Sequence, residues 1–256
     1  MLIVRRIVQL LGFAVHSIYI RSGLVKVSQT DALMTKLYLA YKNAFERTNV
    51  KAITLLVQEN FMVLDVGAGF GFYSRVFSGL VPAGQVHSFE PGSFNFKRCL
   101  RTKEKMCEHN NVIVNQTALT SEKGFRKLRI DYVNPANNSI LDLDERVDVY
   151  EEVQTTTIDS YCKENKIAPN FIKIDIQGHE IHCLKGASEV LRSAPRLILL
   201  IELDFINHKE KSLLVLDFLL GLNYKPFSYC KKSGFTIFDV SKSRKEYFDV
   251  FFFKAI

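Results

Sequence analysis

Short apolar runs recur along the chain and alternate with longer stretches in which apolar and polar residues have helical spacing. Such runs are typical of the buried strands of a parallel sheet. Five strands are predicted in this way, at residues 61–66, 85–90, 112–118, 171–176 and 197–203. Their alternation with helices predicts an α/β fold in which helices cover both faces of a mostly parallel central sheet.

The two ends of the chain add elements to this core. Helices are predicted at residues 31–46 and 50–58, ahead of the first strand. Together with an amphipathic stretch at the start of the chain, they make residues 1–60 an N-terminal helical segment that packs on a catalytic domain of residues 61–256. Strand-like runs at residues 224–229, 235–238 and 247–254 predict an antiparallel C-terminal edge of the sheet.

The regular alternation breaks down between residues 124 and 154. We interpret this region as a short hairpin or an irregular insertion above the sheet, where loops build substrate sites.

A glycine-rich turn follows the first predicted strand, in the order Asp65-Val66-Gly67-Ala68-Gly69-Phe70-Gly71. Glycines at alternate positions let the backbone turn tightly and approach a ligand, because no Cβ stands in the way. Glu90 ends the next strand, where a carboxylate can accept hydrogen bonds from both hydroxyls of a ribose. The pattern predicts an adenosine-containing cofactor, although such a turn can also be a plain strand–helix connection.

The spacing of the glycines indicates which cofactor. In the dinucleotide-binding pattern a third glycine lets the helix approach a pyrophosphate, but that position falls on Phe72. A nucleotide-binding oxidoreductase is therefore the weaker alternative. The order D-x-G-x-G-x-G with a later acid instead resembles the first motif of class I S-adenosylmethionine methyltransferases, which have a Rossmann-like fold. Their cofactor has no phosphate and carries a zwitterionic methionine end.

A second group of motifs narrows the resemblance. The order K-I-D-I-Q-G-H-E at residues 173–180 is followed by L-K-G-A at 184–187 and by an apolar strand that ends in Ile201-Glu202. This arrangement resembles the FkbM-type methyltransferases over about residues 61–203. The family usually has Asn where Gly69 stands and Glu where Gln177 stands, so this chain lacks a negative charge at the latter position.

The resemblance implies that the glycine turn lines the methionyl part of S-adenosylmethionine and that Glu90 binds the ribose. The expected cofactor contacts lie in the turn, in the helix after it and at the ends of the following strands. They are Asp65, Gly67, Ala68, Gly69, Gly71, Tyr73, Glu90, Pro91, Ala118 and Asp175.

Asp175 and His179 are the candidate catalytic residues. Asp175 can orient an acceptor hydroxyl or accept its proton, and His179 is a residue type that can act as a base near neutral pH. The alternatives are that Asp175 caps the next helix and that His179 has a packing role. No metal is predicted, because few oxygen ligands other than Asp175 and Glu202 meet there. A Mg²⁺ ion held by these two carboxylates is the competing hypothesis.

These motifs predict an S-adenosylmethionine-dependent O-methyltransferase that acts on a hydroxyl of a sugar, a glycan-linked group or another small molecule. A non-catalytic scaffold that retains the cofactor fold is the alternative, which Gln177 makes more plausible.

Composition agrees with one α/β core, since 47% of the 256 residues are hydrophobic and 24% are charged. The formal charge of +7 suggests an anionic substrate or surface, but the basic residues are dispersed, so nucleic-acid binding is not predicted. Five scattered cysteines without a C-x-x-C pair favour a reducing cytoplasm. Nothing in the pattern indicates an oligomeric state.

The amphipathic stretch at residues 1–20 is too short and too interrupted by polar residues to span a membrane. We expect it to form a helix that packs on the catalytic domain. The alternative is contact with a membrane surface, since Arg5, Arg6 and Arg21 flank its apolar face.

Overall fold

The structure is a computed structural model that describes residues 27–131, 138–141, 149–239 and 247–255. The predicted amphipathic stretch at residues 1–20 lies outside the described residues. The helices are α1 Val27–Phe45, α2 Arg47–Leu56, α3 Phe72–Leu80, α4 Ser93–Met106, α5 Ile158–Asn165, α6 Glu180–Lys185, α7 Ser188–Ser193 and α8 Lys209–Gly221. The strands are β1 Met62–Val66, β2 Gln85–Phe89, β3 Val112–Asn115, β4 Ala118–Leu119, β5 Gly124–Arg129, β6 Ser139–Ile140, β7 Tyr150–Thr156, β8 Phe171–Ile174, β9 Ile198–Asp204, β10 Tyr224–Cys230, β11 Gly234–Ile237 and β12 Tyr247–Lys254.

The main sheet has eight strands in the order β11-β10-β12-β9-β8-β1-β2-β3. Strands β9, β8, β1, β2 and β3 are parallel, and the register pairs Val66 with both Phe89 and Ile174. The carboxyl ends of β1, β2 and β8 therefore meet at one edge. A ligand of an open α/β sheet binds at that edge, so the topology gathers the glycine turn, Glu90 and Asp175 there.

The C-terminal strands form the predicted antiparallel edge. Strand β12 pairs with β9 from Tyr247 opposite Asp204 to Phe253 opposite Ile198, and β10 pairs with the other side of β12. Strand β12 thus lies inside the sheet, and β10 and β11 extend beyond it.

Two predictions about the middle of the chain are wrong. Strand β3 ends at Asn115, and the residues expected to extend it begin the separate strand β4 at Ala118. The described parts of the region expected to be a short hairpin or an irregular insertion form three strands of a second sheet, in which the order is β4-β7-β5-β6. Ala118, Leu128 and Val153 are buried together in this sheet, so it has a small apolar core of its own.

Helices cover both faces of the main sheet, as predicted. On one face Leu64, Ile172 and Ile201 belong to a buried cluster that includes residues of α5, α6, α7 and α8. On the other face Val63 and Phe171 pack in a cluster with residues of α1, α2 and α3. Alternate strand residues point to opposite faces, which explains why these runs are apolar throughout.

The N-terminal helices occur close to their predicted positions. Helix α1 buries Leu39, and α2 buries Ala52 and Ile53 against the main sheet. No helix within the described ranges has the length and apolar character needed to cross a bilayer.

Candidate active site

The glycine turn connects β1 to α3 and depends on left-handed backbone conformations. Gly67, Gly69 and Gly71 have φ angles of 78°, 56° and 83°, a region that favours glycine. A Cβ on Gly67 would lie 1.9 Å from the carbonyl oxygen of Asp175. The turn therefore lies directly against the end of β8, which leaves no room for a side chain.

Gly69 faces more open space than Gly67. Among the described residues, a Cβ at Gly69 would approach only the Tyr38 hydroxyl, at 4.0 Å. The Tyr38 ring in turn packs on Phe70, with centroids 4.5 Å apart. The backbone of the turn is thus exposed at Gly69, beside helix α1. We call this open space the cradle, and the end of a ligand can fit into it.

Glu90 follows β2 and is tied to the turn. Its Oε2 accepts a hydrogen bond from the Gly69 amide at 2.9 Å, and its Oε1 accepts one from the Gly92 amide at 3.1 Å. Burial raises the pKa of Glu90 to about 7. Each carboxylate oxygen has a second lone pair, so the group can also accept hydrogen bonds from a ribose diol. Pro91 follows it directly and is half-buried.

Asp65 lies beneath the turn. Its carboxylate is fully buried and accepts a hydrogen bond from the Ser74 hydroxyl at 2.7 Å, and Ser88 donates to Ser74 at 2.8 Å. The Lys173 ammonium is 4.0 Å from the other Asp65 oxygen. Through these contacts Asp65 fixes the start of the turn to α3 and β8.

Asp175 follows β8, and each of its carboxylate oxygens has a partner and a second lone pair. Lys173 lies 3.2 Å from Oδ2, and the Gln177 amide donates to Oδ1 at 3.1 Å. Burial alone would raise the pKa of Asp175, but the ammonium groups of Lys173 and Lys42 outweigh it and hold the pKa well below its usual range. Asp175 is therefore an anion at neutral pH.

Gln177 joins Asp175 to the next strand. Its amide nitrogen also lies 3.3 Å from Oε2 of Glu202, on β9. The charge of Asp175, together with burial, raises the pKa of Glu202 well above its usual range. Asp175 is thus the stronger acid of the pair and Glu202 the weaker one.

The loop that carries Gln177 is held by Glu180. Gln177 has a φ of 53°, which is uncommon for a residue with a side chain. Glu180 accepts hydrogen bonds from the amides of Ile176 at 3.2 Å and Gly178 at 3.1 Å. The first turn of α6 thereby fixes the backbone that carries Asp175 and Gln177.

His179 lies in a different environment from Asp175. Its Nε2 is 2.9 Å from the Thr120 hydroxyl, its ring stacks on His182 with centroids 4.5 Å apart, and it is only 5% exposed. Ala118, close to Thr120 in sequence, is buried in the second sheet. His179 thus connects the start of α6 to the segment that follows β4.

Tyr73 faces the N-terminal helices. Its hydroxyl donates to Oε2 of Glu46 at 2.7 Å, and the Lys173 ammonium lies 4.8 Å from its ring centroid. Glu46 also pairs with Lys42, at 2.8 Å. The structure thus adds Tyr38, Lys42 and Glu46, which sequence reasoning missed because no motif marks a helix that precedes β1.

The donor set fits S-adenosylmethionine. The carboxylate of Glu90 would suit the hydroxyls of a ribose, the space at Gly69 would admit the methionyl end, and the negative charge of Asp175 would suit its ammonium. Within the described part of the chain, no three His, Cys, Asp or Glu side chains are arranged to hold a metal ion.

Comparison with known proteins identifies the family. The sequence model of the FkbM methyltransferase domain matches residues 65–226, which is more than half of the chain. Comparison with curated proteins finds no similar sequence.

Among solved structures, a methyltransferase with a TM-score above 0.5 shares the fold. The methyltransferase FkbM from Methylobacillus flagellatus KT has a TM-score of 0.53 and 17% identity, over 77% of this chain and 44% of that one. The chain thus spans less than half the length of that protein. A putative methyltransferase from Streptococcus mutans, in complex with SAH, has a TM-score of 0.48 and 12% identity, over 81% of this chain and 96% of that one. A SAM-dependent O-methyltransferase from Thermotoga maritima has a TM-score of 0.46 and 14% identity, over 82% and 65%.

The domain match and the class I topology confirm the predicted family and fold class. The chain therefore belongs to the FkbM methyltransferase family.

Proposed function

We propose that the chain transfers a methyl group to a hydroxyl of a sugar, a glycan-linked group or another small molecule. The observation that supports this most is the hydrogen-bonded group formed by Asp175, Gln177 and Glu202 at the carboxyl ends of β8 and β9. Carboxyl and amide groups can accept and donate hydrogen bonds to a polyhydroxylated acceptor. They lie beside the glycine turn, where the methionyl end of the cofactor is expected.

The sulfonium of the cofactor supplies an activated methyl group. The protein then has to align an acceptor oxygen with that carbon and receive the proton that the hydroxyl loses. With a pKa well below its usual range, Asp175 is a weak base but a strong hydrogen-bond acceptor. We therefore assign Asp175 the orientation of the hydroxyl. A weak base is sufficient, because an alcohol oxygen becomes strongly acidic as it gains the methyl group.

His179 is the second catalytic candidate from the sequence. Its bond to Thr120 and its burial support a positioning role for the loop between β8 and α6. His179→Gln separates the roles. If His179 is the base, the methyl-transfer rate of this variant is expected to fall by at least about a hundredfold. If it positions the loop, the glutamine amide can keep the hydrogen bond to Thr120 and most of the rate is expected to remain.

A non-catalytic scaffold is the competing function, and Gln177 is the feature that favours it. The amide replaces the acid that the family usually has, but its two hydrogen bonds keep the Asp175 and Glu202 side chains together. An intact carboxyl pair supports catalysis over a scaffold.

The experiment is a screen for cofactor turnover. Purified protein is incubated with S-adenosylmethionine and a panel of monosaccharides, oligosaccharides, glycolipids and simple alcohols, and release of S-adenosylhomocysteine is measured. The proposal expects turnover that depends on a hydroxylated acceptor and a product methylated on oxygen. Turnover only with amine or carbon acceptors contradicts it, and tight cofactor binding without turnover on any acceptor favours the scaffold.

A further inference from the structure

Helix α1 lies outside the matched FkbM domain yet contacts the glycine turn. The family match begins at residue 65, whereas α1 ends at Phe45. Tyr38 on this helix packs on Phe70, and its hydroxyl is the group nearest to the open side of Gly69. A ligand that enters the cradle at Gly69 therefore approaches α1.

Lys42 lies one helical turn after Tyr38, on the same side of α1. Its ammonium is 2.8 Å from Oε1 of Glu46, and Glu46 is itself held by the Tyr73 hydroxyl at 2.7 Å and the Asn49 amide at 2.9 Å. The side chain of Lys42 retains 21% exposure. Glu46 thus fixes the direction of an ammonium that has three N–H donors, and the bond to Glu46 uses one of them.

The surroundings of Lys42 favour its protonated form. Burial by itself lowers the pKa of an ammonium, but Tyr38, Glu46 and Asp175 outweigh it, and the pKa of Lys42 lies well above its usual range. The group is therefore a cation at neutral pH.

The methionyl end of the cofactor carries an ammonium and a carboxylate, so its site needs a charge of each sign. Asp175 and the carbonyl groups of the turn suit the ammonium. Lys173 already pairs with Asp175 and Asp65, and only 6% of its side chain is exposed. Arg98 is 2% exposed and lies 3.4 Å above the Phe94 ring. Lys42 is the more accessible cation beside this part of the site.

We propose that Lys42 binds the carboxylate of the methionyl end of the cofactor and that the Tyr38 hydroxyl donates a second hydrogen bond to it. Helix α1 then forms one wall of the cofactor site and brings the cofactor into contact with the N-terminal segment. The inference concerns cofactor binding alone and does not depend on the identity of the acceptor.

The test compares two ligands that differ only in that carboxylate. Calorimetry measures the affinity of wild type and Lys42→Met for S-adenosylmethionine and for decarboxylated S-adenosylmethionine. Wild type is expected to prefer the intact cofactor by about tenfold to a hundredfold, the range of one charge-assisted hydrogen bond. Lys42→Met is expected to lose most of this preference while its affinity for the decarboxylated ligand changes by less than about threefold.

Matched variants separate binding from folding. Lys36→Met removes an exposed lysine from the same helix and is expected to retain the full preference. Lys42→Arg keeps the positive charge and is expected to retain part of the preference for the intact cofactor. Tyr38→Phe is expected to lose about threefold to tenfold in affinity for the intact cofactor only.

Two results overturn the proposal: a wild type that binds both ligands equally, or a Lys42→Met variant that keeps the preference. If Lys42→Met does not fold, the wild-type comparison and Lys42→Arg still decide. Failure of the wild type to bind either ligand would contradict the use of this cofactor, which is a separate conclusion.

Discussion

The ammonium of Lys173 lies 3.2 Å from the nearer carboxylate oxygen of Asp175, two residues further along the chain. Lys173 lies in β8 and Asp175 directly follows that strand, so the end of β8 carries its own ion pair into the site. Lys173 is almost fully buried and also lies 4.0 Å from Asp65. The Lys173 ammonium therefore lies close to two carboxylates, Asp65 under the glycine turn and Asp175 at the acceptor end.

Replacing Lys173 with Met is expected to destabilise the protein by about 3 kcal/mol at neutral pH, because it leaves buried negative charge without a partner. The folded pKa of Asp175 is depressed, so the contribution of its ionised form is present above the unfolded pKa of about 3.9 and is lost as the pH falls through the folded pKa. The deficit should therefore be nearly unchanged at about pH 4 and clearly smaller at about pH 2.5 than at neutral pH. Urea denaturation at the three pH values measures it.

Lys163→Met is the control for Lys173, because Lys163 is exposed on α5. It should change the free energy of unfolding by less than about 0.5 kcal/mol. An equal loss of stability at neutral pH and at about pH 2.5 in Lys173→Met would contradict the role assigned to the ion pair.

Gly67→Ala is expected to abolish binding of S-adenosylhomocysteine and to lower the free energy of unfolding by about 2 to 5 kcal/mol. The added Cβ would lie 1.9 Å from a backbone oxygen of Asp175, and the φ of 78° disfavours any side chain. Gly79→Ala is the matched control, because no described atom beyond the neighbouring backbone of its own helix lies within 4 Å of the Cβ position there. It should be neutral or stabilising. Normal cofactor binding by Gly67→Ala would show that the turn adopts another conformation.

Cofactor binding is expected to depend on pH through Glu90. Its folded pKa of about 7 lies above the unfolded value of about 4.3, so the stability linked to its bound proton is present at low pH and is lost as the pH rises through about 7. The ribose hydroxyls favour the ionised carboxylate. Affinity for S-adenosylhomocysteine should therefore increase about tenfold from about pH 6 to about pH 8.

Glu90→Gln should flatten that pH profile, and Glu90→Ala should weaken binding by about 1 to 3 kcal/mol. Calorimetry at several pH values gives both quantities. A wild-type profile that stays flat between those pH values would mean that Glu90 does not change its charge when the cofactor binds.

Gln177→Glu is expected to disturb the carboxyl pair of Asp175 and Glu202, because it removes two hydrogen-bond donors and adds a third acid. The free energy of unfolding should fall by about 1 to 3 kcal/mol at pH 7 and by less at pH 5, where the acids are more protonated. Gln177→Gly removes the same bonds but relieves the φ of 53°, so it should cost less. Thermal unfolding of the three proteins gives the comparison. If Gln177→Glu were as stable as wild type at pH 7, the amide would have no role in holding Asp175 and Glu202.

Much of the fold followed from the apolar pattern, because parallel strands buried on both faces give continuous apolar runs and the glycine turn marks the first strand. The boundary between β3 and β4 was missed for a physical reason. Residues 112–118 form one run in sequence, but the chain changes sheets after Asn115, and neither Gln116 nor Thr117 marks a turn. The second sheet has few buried residues, so its pattern is weak.

Site residues that come directly after a strand, such as Gly67, Glu90 and Asp175, could be predicted from the sequence. The site was not predictable where contacts are tertiary. Tyr38 and Lys42 lie in an amphipathic helix with no motif, and their positions beside Gly69 and Glu46 depend on how α1 packs.

The assignment of Asp175 to metal-free O-methylation is tested by transfer of a radiolabelled methyl group. Protein treated with EDTA is given labelled S-adenosylmethionine and an acceptor identified by the turnover screen. We predict that wild type transfers the label to a hydroxyl oxygen at an undiminished rate and that Asp175→Asn is at least about a hundredfold slower. Label on nitrogen or carbon, or activity that EDTA abolishes and Mg²⁺ restores, would contradict a direct role of Asp175 in metal-free O-methylation.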